Sequence, residues 1–85
     1  MHPSVKSVVP TDDYVLKIVF DNGEYGTLDI KPFLNFGVFR RLQDQNVFKR
    51  VKVSFDTIEW DGGIDLDPEF IYKQCRRSIA QHGES

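Results

Sequence analysis

Apolar and polar residues alternate through much of the first thirty positions, and a period of two is typical of half-buried β-strands. The first such run is Val5–Pro10, which ends at Pro10 because proline has no backbone N–H to donate to a neighbouring strand. Residues 14–20 form the clearest run. It predicts a strand with these apolar residues on one face: Tyr14, Leu16, Ile18 and Phe20.

A β-hairpin is predicted to follow this strand. Residues 24–30 alternate in the same way and place Gly26, Leu28 and Ile30 on one face. The intervening Asn22-Gly23 pair favours a type I′ turn, in which both central residues need a positive φ. The sequence therefore predicts two antiparallel strands joined by a tight turn.

The middle of the chain predicts short helices. Residues 29–35 indicate a helical turn with Pro32 in its first turn, where a missing N–H does no harm. Residues 38–42 and 44–50 indicate two short α- or 3₁₀ helices, the second capped by Asp44. The region is too rich in Phe, Leu and Val for solvated loops, so we expect it to cover one face of a sheet.

Two more strands are predicted from the alternation of residues 51–55 and 57–60, with a tight turn at Asp56. A turn at 61–63 and a brief extended piece at 64–66 follow. Asp67-Pro68-Glu69 predicts a helix start, and apolar residues at a spacing of four predict a helix that Gly83 closes: Ile71, Cys75 and Ile79.

These elements predict the α+β class: a mainly antiparallel sheet of four to five strands with short helices on one face, as a two-layer sandwich. The 85 residues indicate one domain, 1–85, with an ordered core over about residues 4–80. A chain of this length buries little surface on its own, so a second copy or a small protein partner is expected.

The composition limits the class of protein to which the chain can belong. With 40% hydrophobic and 28% charged residues the chain fits a soluble globular domain. The sequence contains no apolar run near the roughly twenty residues that cross a bilayer and no signal-peptide pattern, so we expect a cytoplasmic location without membrane contact. The single cysteine excludes an internal disulfide framework and a multi-cysteine zinc site.

Charge is segregated along the chain although the net charge is only −2. Residues 31–55 contain one acidic residue, Asp44, and six basic ones: Lys31, Arg40, Arg41, Lys49, Arg50 and Lys52. Residues 56–72 contain no basic residue and six acidic ones: Asp56, Glu59, Asp61, Asp65, Asp67 and Glu69. We expect these blocks to pair within the fold; the alternative is a basic face for a polyanion.

The acidic block is a candidate cation or small-ligand site, formed by Asp61, Asp65, Asp67 and Glu69. Hard cations take six to eight oxygen ligands, but the spacing is not that of an EF-hand loop. Helix capping and turn formation explain the same residues, so the interpretation favoured here is structural and no metal or cofactor is predicted.

Three other features have a functional and a structural interpretation. Trp60 beside the Gly62-Gly63 turn could line a groove, but a tryptophan on an alternating strand is more often core. Arg40 and Arg41 could contact phosphates, although no nucleic-acid-binding motif supports this. Cys75 lacks a predicted base, since both histidines lie near the termini, so no catalytic residue is predicted.

Several motifs together resemble a known family: HPSVKSVVP at 2–10, VFDNGE at 19–24, DIKPFL at 29–34, FGVF at 36–39 and TIEWDGGIDLDPEFIY at 57–72. The chain resembles the small bacterial family called domain of unknown function 2442. This resemblance implies an α+β two-layer domain, followed in some relatives by a helix-turn-helix DNA-binding domain. In others it stands alone, sometimes near small genes of the toxin–antitoxin type.

The function expected from these observations is a non-enzymatic interaction or self-association module. The aromatic excess, the short length and the lack of a nucleophile–base pair favour it. One alternative is a ligand- or cation-binding domain that uses the acidic residues between Trp60 and Glu69. A second alternative, a role accessory to transcriptional or toxin–antitoxin control, depends on the resemblance alone.

Overall fold

The structure, a computed structural model, describes residues 2–78, with side chains as far as Cys75. Its elements in chain order are β1 (Val5–Pro10), β2 (Val15–Phe20), β3 (Tyr25–Asp29), 3₁₀ helices at Lys31–Phe33 and Gly37–Gln43, α1 (Gln45–Phe48), β4 (Lys52–Ser54), β5 (Thr57–Trp60), β6 (Ile64–Asp65), α2 (Pro68–Gln74) and β7 (Arg76–Ser78). Short helices thus accompany antiparallel strands, and the predicted α+β class is confirmed.

The first sheet contains four antiparallel strands in the order β1-β2-β3-β7. Leu16, Ile18 and Phe20 of β2 are buried, as the alternation predicted. Leu28 of β3 lies opposite Leu16 and is buried with them. The opposite face of these strands is turned to solvent, which is common for antiparallel sheets.

The turn between β2 and β3 differs from the prediction. The hairpin forms, but its loop has three residues, 21–23, because the N–H of Phe20 donates to the carbonyl of Glu24 at 2.8 Å. Only Gly23 has a positive φ, +92°, whereas a type I′ turn would also need one at Asn22. The N–H of Gly23 donates to the carbonyl of Phe20 at 3.1 Å, so one glycine in the left-handed region is enough to close this loop.

The segment between the sheets is helical, as predicted, with slightly different bounds. Pro32 lies in the first turn of the first 3₁₀ helix. Asp44 precedes α1, and its side chain accepts a hydrogen bond from the N–H of Asn46 at 2.9 Å. Leu42 and Phe48 are fully buried, and Phe39 and Val47 pack against the core beside them, so both later helices are fixed to the core by apolar side chains.

The second sheet contains β4, β5 and β6, also antiparallel. The strands therefore divide between two sheets, where the sequence suggested one. A β-bulge between Val5 and Ser7 bends β1, and the N–H of Val5 donates to the carbonyl of Asp56 at 3.0 Å. The turn of the β4–β5 hairpin thus contacts the first sheet at one end of β1.

The predicted last helix is too long. The helix α2 ends at Gln74, and Cys75 has an extended backbone, with ψ of 133°. Residues 76–78 form β7, in which Arg77 pairs with Gly26 of β3. Cys75 is buried on this extended backbone, as the predicted helix also required, so its burial does not distinguish a helix from a strand. The other two residues of the predicted helix end, Ile79 and Gly83, lie outside the described residues.

The core lies between the two sheets and the helices. Its largest fully buried side chains come from both sheets and from the helical segments: Trp60, Phe20, Phe48, Leu16, Ile18, Ile30, Leu42, Ile58, Ile64 and Ile71. Aromatic rings join the layers, with the ring centroids of Phe48 and Trp60 6.2 Å apart and those of Tyr14 and Phe48 5.2 Å apart.

Candidate interaction surface

Trp60 is part of the core. Its side chain is 1% exposed, and its indole Nε1–H donates to the carbonyl of Phe48 at 2.9 Å. The groove considered from the sequence would need an accessible ring, so Trp60 does not line one. The burial follows from the strand pairing, because Trp60 lies opposite the buried Ile64 on the inner face of β5.

The candidate acidic residues are all exposed and lie on different elements: Asp61 in the turn after β5, Asp65 on β6, Asp67 before α2 and Glu69 in its first turn. Among residues 2–78, no three His, Cys, Asp or Glu side chains are grouped so that they could hold a metal ion. A hard cation would find fewer oxygens here than the six to eight it takes.

Local contacts explain two of these acids. Asp61 lies 3.8 Å from the guanidinium of Arg50, and Glu69 lies 3.5 Å from Lys73 one helical turn later. Asp67 occupies the predicted N-cap position, although its side chain makes no capping hydrogen bond. Exposed ion pairs of this kind stabilise a fold little, so they orient the side chains more than they hold the fold.

A small cleft lies beside one of the acids. It has a volume of about 220 Å³ and is lined by His2, Glu69, Tyr72 and Lys73. The carboxylate of Glu69 already faces the ammonium group of Lys73, so the two charges offset each other at the cleft.

The basic block pairs with two acidic regions. Arg50 and Lys52 lie 3.8 Å and 3.7 Å from carboxylates of the 56–72 block, as predicted. Two other lysines pair with the N-terminal region, which the sequence analysis did not anticipate: Lys31 with Asp13 and Asp29, and Lys49 with Asp12. Most cations of the basic block therefore form ion pairs with acidic residues of the same chain.

The pair of Lys49 and Asp12 should have a measurable effect on the titration of Asp12. The Lys49 ammonium donates a hydrogen bond to Asp12 and, by this bond and its charge, lowers the pKa of Asp12 below its ordinary 3.8. The contribution of the pair to stability is present above pH 3.8 and is lost as the pH falls through the lowered pKa. We expect Lys49→Gln to raise the Asp12 pKa, measured by NMR titration of the carboxyl carbon.

Lys52→Gln is the control for this titration, because Lys52 pairs with Glu59 and not with Asp12. An Asp12 titration that is the same in Lys49→Gln as in the wild type would contradict the assigned cause.

Arg40 and Arg41 are the remaining cations of the basic block. Both are exposed, and neither forms an ion pair with a carboxylate of the described residues. Arg41 covers the turn at Gly62, since a Cβ added there would lie 2.6 Å from its guanidinium. Arg40 and Arg41 thus bring two positive charges to this side of the molecule, without an acidic partner among residues 2–78.

Large apolar side chains are exposed next to these arginines. Phe36 is 65% exposed and Val38 is 57% exposed, on either side of Gly37, whose φ is +50°. We call residues 36–41 the 36–41 segment. It combines an aromatic ring, an aliphatic side chain and two cations on a continuous stretch of chain.

The 36–41 segment is held in place at both ends. Leu42 follows it and is fully buried, and Gln43 donates its side-chain amide to the carbonyl of Leu34 at 2.7 Å. The hydroxyl of Tyr14 donates to the carbonyl of Gln43. Within the segment, the N–H of Phe39 donates to the carbonyl of Phe36 at 3.0 Å. These bonds reduce the conformational entropy that the segment would lose on binding.

The sequence predicts Phe36 and Val38 in short helical turns that cover a sheet, and Phe55 in a strand. Phe55 is 99% exposed, because it lies in the β4–β5 turn with Asp56 rather than on β4. A turn residue next to each of these side chains is the feature of the sequence that indicates exposure: Gly37 for Phe36 and Val38, and Asp56 for Phe55.

The remaining candidates from the sequence are one cysteine and two histidines. Cys75 is 5% exposed, consistent with the predicted buried thiol. His2 is half-buried, and its Nδ1 lies 3.2 Å from the carbonyl oxygen of Pro3. His82 lies outside the described residues.

None of the helices in residues 2–78 has the length and apolar character needed to cross a bilayer.

A family model described as a protein of unknown function (DUF2442) matches residues 5–77. No curated protein and no solved structure matches the chain. The matched residues run from the start of β1 to the second residue of β7 and so include all or most of every strand of both sheets. The chain therefore belongs to the DUF2442 family.

Proposed function

We propose that this protein is a non-enzymatic interaction module that binds another protein through the 36–41 segment. The observation that carries the proposal is the exposure of Phe36 and Val38 beside two arginines without a described acidic partner. Interface cores are enriched in aromatic residues and arginine.

The expected partner has an apolar pocket bordered by acidic side chains. Phe36 and Val38 would lose their remaining exposed apolar surface on contact, which is the main favourable term in most protein associations. Arg40 and Arg41 would face the acidic border and speed the encounter with it. Binding should therefore weaken as salt is added, because exposed charges are screened.

The experiment is a quantitative comparison of captured proteins. Wild-type protein and the double variant Phe36→Ser/Val38→Ser are used as baits in a lysate of the source cells, and bound proteins are measured by mass spectrometry. We expect a partner that the wild type captures and the double variant loses, with an affinity reduced about tenfold or more in a purified assay.

The matched control is Val9→Ser, which removes an equally exposed valine (55%) from a different surface, on β1. It should keep the partner. A captured set that is the same for the wild type and the double variant would overturn the proposed function. Arg40→Gln should retain binding but reduce its dependence on salt.

A further inference from the structure

Phe55 combines two features that seldom occur together. It has a φ of +56° without being glycine, and its side chain is 99% exposed. A bulky residue in the left-handed region is strained, and a hairpin turn of this kind ordinarily has glycine, asparagine or aspartate where φ is positive.

Tyr14 shows how such strain is normally offset. It also has a positive φ, +60°, but its ring packs edge-on against Phe48 and its hydroxyl donates to the carbonyl of Gln43. The fold therefore gains from the Tyr14 side chain. A ring that is 99% exposed gives Phe55 no comparable contact within the described residues.

The position of Phe55 is nevertheless fixed. Ser54 and Thr57 pair on either side of the turn, and the carbonyl of Asp56 accepts the N–H of Val5 at 3.0 Å. The turn is thereby tied to one end of the four-stranded sheet, the end at which Val5 lies opposite Phe20. The ring is presented at a defined place and has a contact surface ready for a partner.

The opposite end of the same sheet has a cleft. Its volume is about 530 Å³, which is ample for one phenyl ring, and apolar side chains on its wall include Val15, Pro32 and Phe33. The rest of its lining comes from Leu28 and from three polar residues, Thr27, Asp29 and Gln74. Val15 lies opposite Asp29, at the far end of β2 from Phe20, so the ring and the cleft lie at opposite ends of the sheet.

We propose that two copies of this chain form a two-fold symmetric dimer in which Phe55 of each copy occupies the cleft of the other. A second copy is the occupant because the chain itself provides both complementary parts. Their placement at opposite ends suits antiparallel copies, in which both contacts form at once and the assembly closes. The dimer does not depend on the 36–41 segment, so it is separate from the proposed function.

The dimer should be weak. An aromatic side chain buries about 150–250 Å², so two rings account for a minor part of the roughly 1,200–2,000 Å² that stable interfaces bury. We expect dissociation constants in the micromolar range or above. Self-association is therefore best measured by sedimentation velocity over a series from micromolar to millimolar protein.

Two variants test the two halves of the contact. Phe55→Gly removes the ring and relieves the turn, and it should weaken the dimer about tenfold or more while leaving the melting temperature of the monomer unchanged or higher. Thr27→Trp changes an exposed β3 residue and fills the cleft, with the same loss of dimer. An equimolar mixture of the two variants should associate more strongly than either variant alone but less strongly than the wild type, because the heterodimer keeps one of the two ring–cleft contacts.

The control is Phe36→Ser, which removes an exposed phenylalanine from the 36–41 segment and should leave the dimer unchanged. A wild type that is monomeric throughout the series would overturn the dimer, as would a Phe55→Gly variant that associates like the wild type. Failure of the mixture to form a heterodimer would overturn the reciprocal contact. None of these results depends on capture of the other protein partner.

Discussion

Replacing Trp60 with alanine is expected to lower the free energy of unfolding by about 3–5 kcal/mol. The indole is 1% exposed and packs against the ring of Phe48, so alanine leaves a cavity at the contact between β5 and α1. It also leaves the buried carbonyl of Phe48 without its indole donor. Domains of this kind have total stabilities of only about 5–15 kcal/mol, so the loss is a large share.

The loss of stability is measured by urea denaturation with circular dichroism as the signal, which does not depend on tryptophan emission. Trp60→Phe is the matched control, since it removes the N–H donor but keeps a large aromatic ring in the core, and it should cost clearly less. A Trp60→Ala variant that loses less than about 1 kcal/mol would be typical of a surface side chain. That outcome would restore the groove interpretation of Trp60.

Leu42→Ala is expected to cost about 2–5 kcal/mol, the usual range for a buried leucine. Leu42 is fully buried and belongs to the 3₁₀ helix that carries Val38, Arg40 and Arg41. Its side chain attaches the 36–41 segment to the core, so the variant should also weaken binding of the protein partner. Stability is measured by urea denaturation and binding by titration of the captured partner.

Phe36→Ala is the control for Leu42→Ala. It removes a larger side chain from the same region, but one that is 65% exposed, so the stability should change by no more than about 0.5 kcal/mol. The two variants thus distinguish a side chain that attaches the segment to the core, Leu42, from one that is exposed for contact with a partner, Phe36. Equal stability losses in both would show that the segment is packed against the core at Phe36, contrary to the structure.

The strands were predictable where burial has a period of two. Leu16, Ile18 and Phe20 alternate with exposed residues over a whole strand, so the sequence shows both the strand and its inner face. The distribution over two sheets was not predictable, because it depends on a bulge in β1 and on one hydrogen bond between Val5 and Asp56. That hydrogen bond joins residues about fifty positions apart.

The end of α2 was missed for a related reason. Ile71 and Cys75 have helical spacing and both are buried, but the chain leaves the helix at Cys75 to pair with the edge of β3. Pairing satisfies backbone groups that an open edge would leave to solvent. A local pattern contains no information about an unpaired edge elsewhere in the fold.

The candidate surface was only partly predictable. Arg40 and Arg41 were identified from the charge pattern, and the structure leaves them without a described acidic partner. Trp60 was a candidate because its ring lies next to a glycine turn, but strand pairing buries it. Phe55 was assigned to a strand, since its exposure depends on a shift of the turn by one residue.

The pairing of β3 with β7 also has a consequence for synthesis on the ribosome. The hairpin of β2 and β3 can form once residue 29 has emerged, but the strand that completes this sheet is residues 76–78. Until then the outer edge of β3 stays open, a condition that favours pairing with other chains. Contacts over such long separations also form slowly. A nascent chain of this protein therefore keeps one edge of its first sheet unprotected until residues 76–78 have been translated.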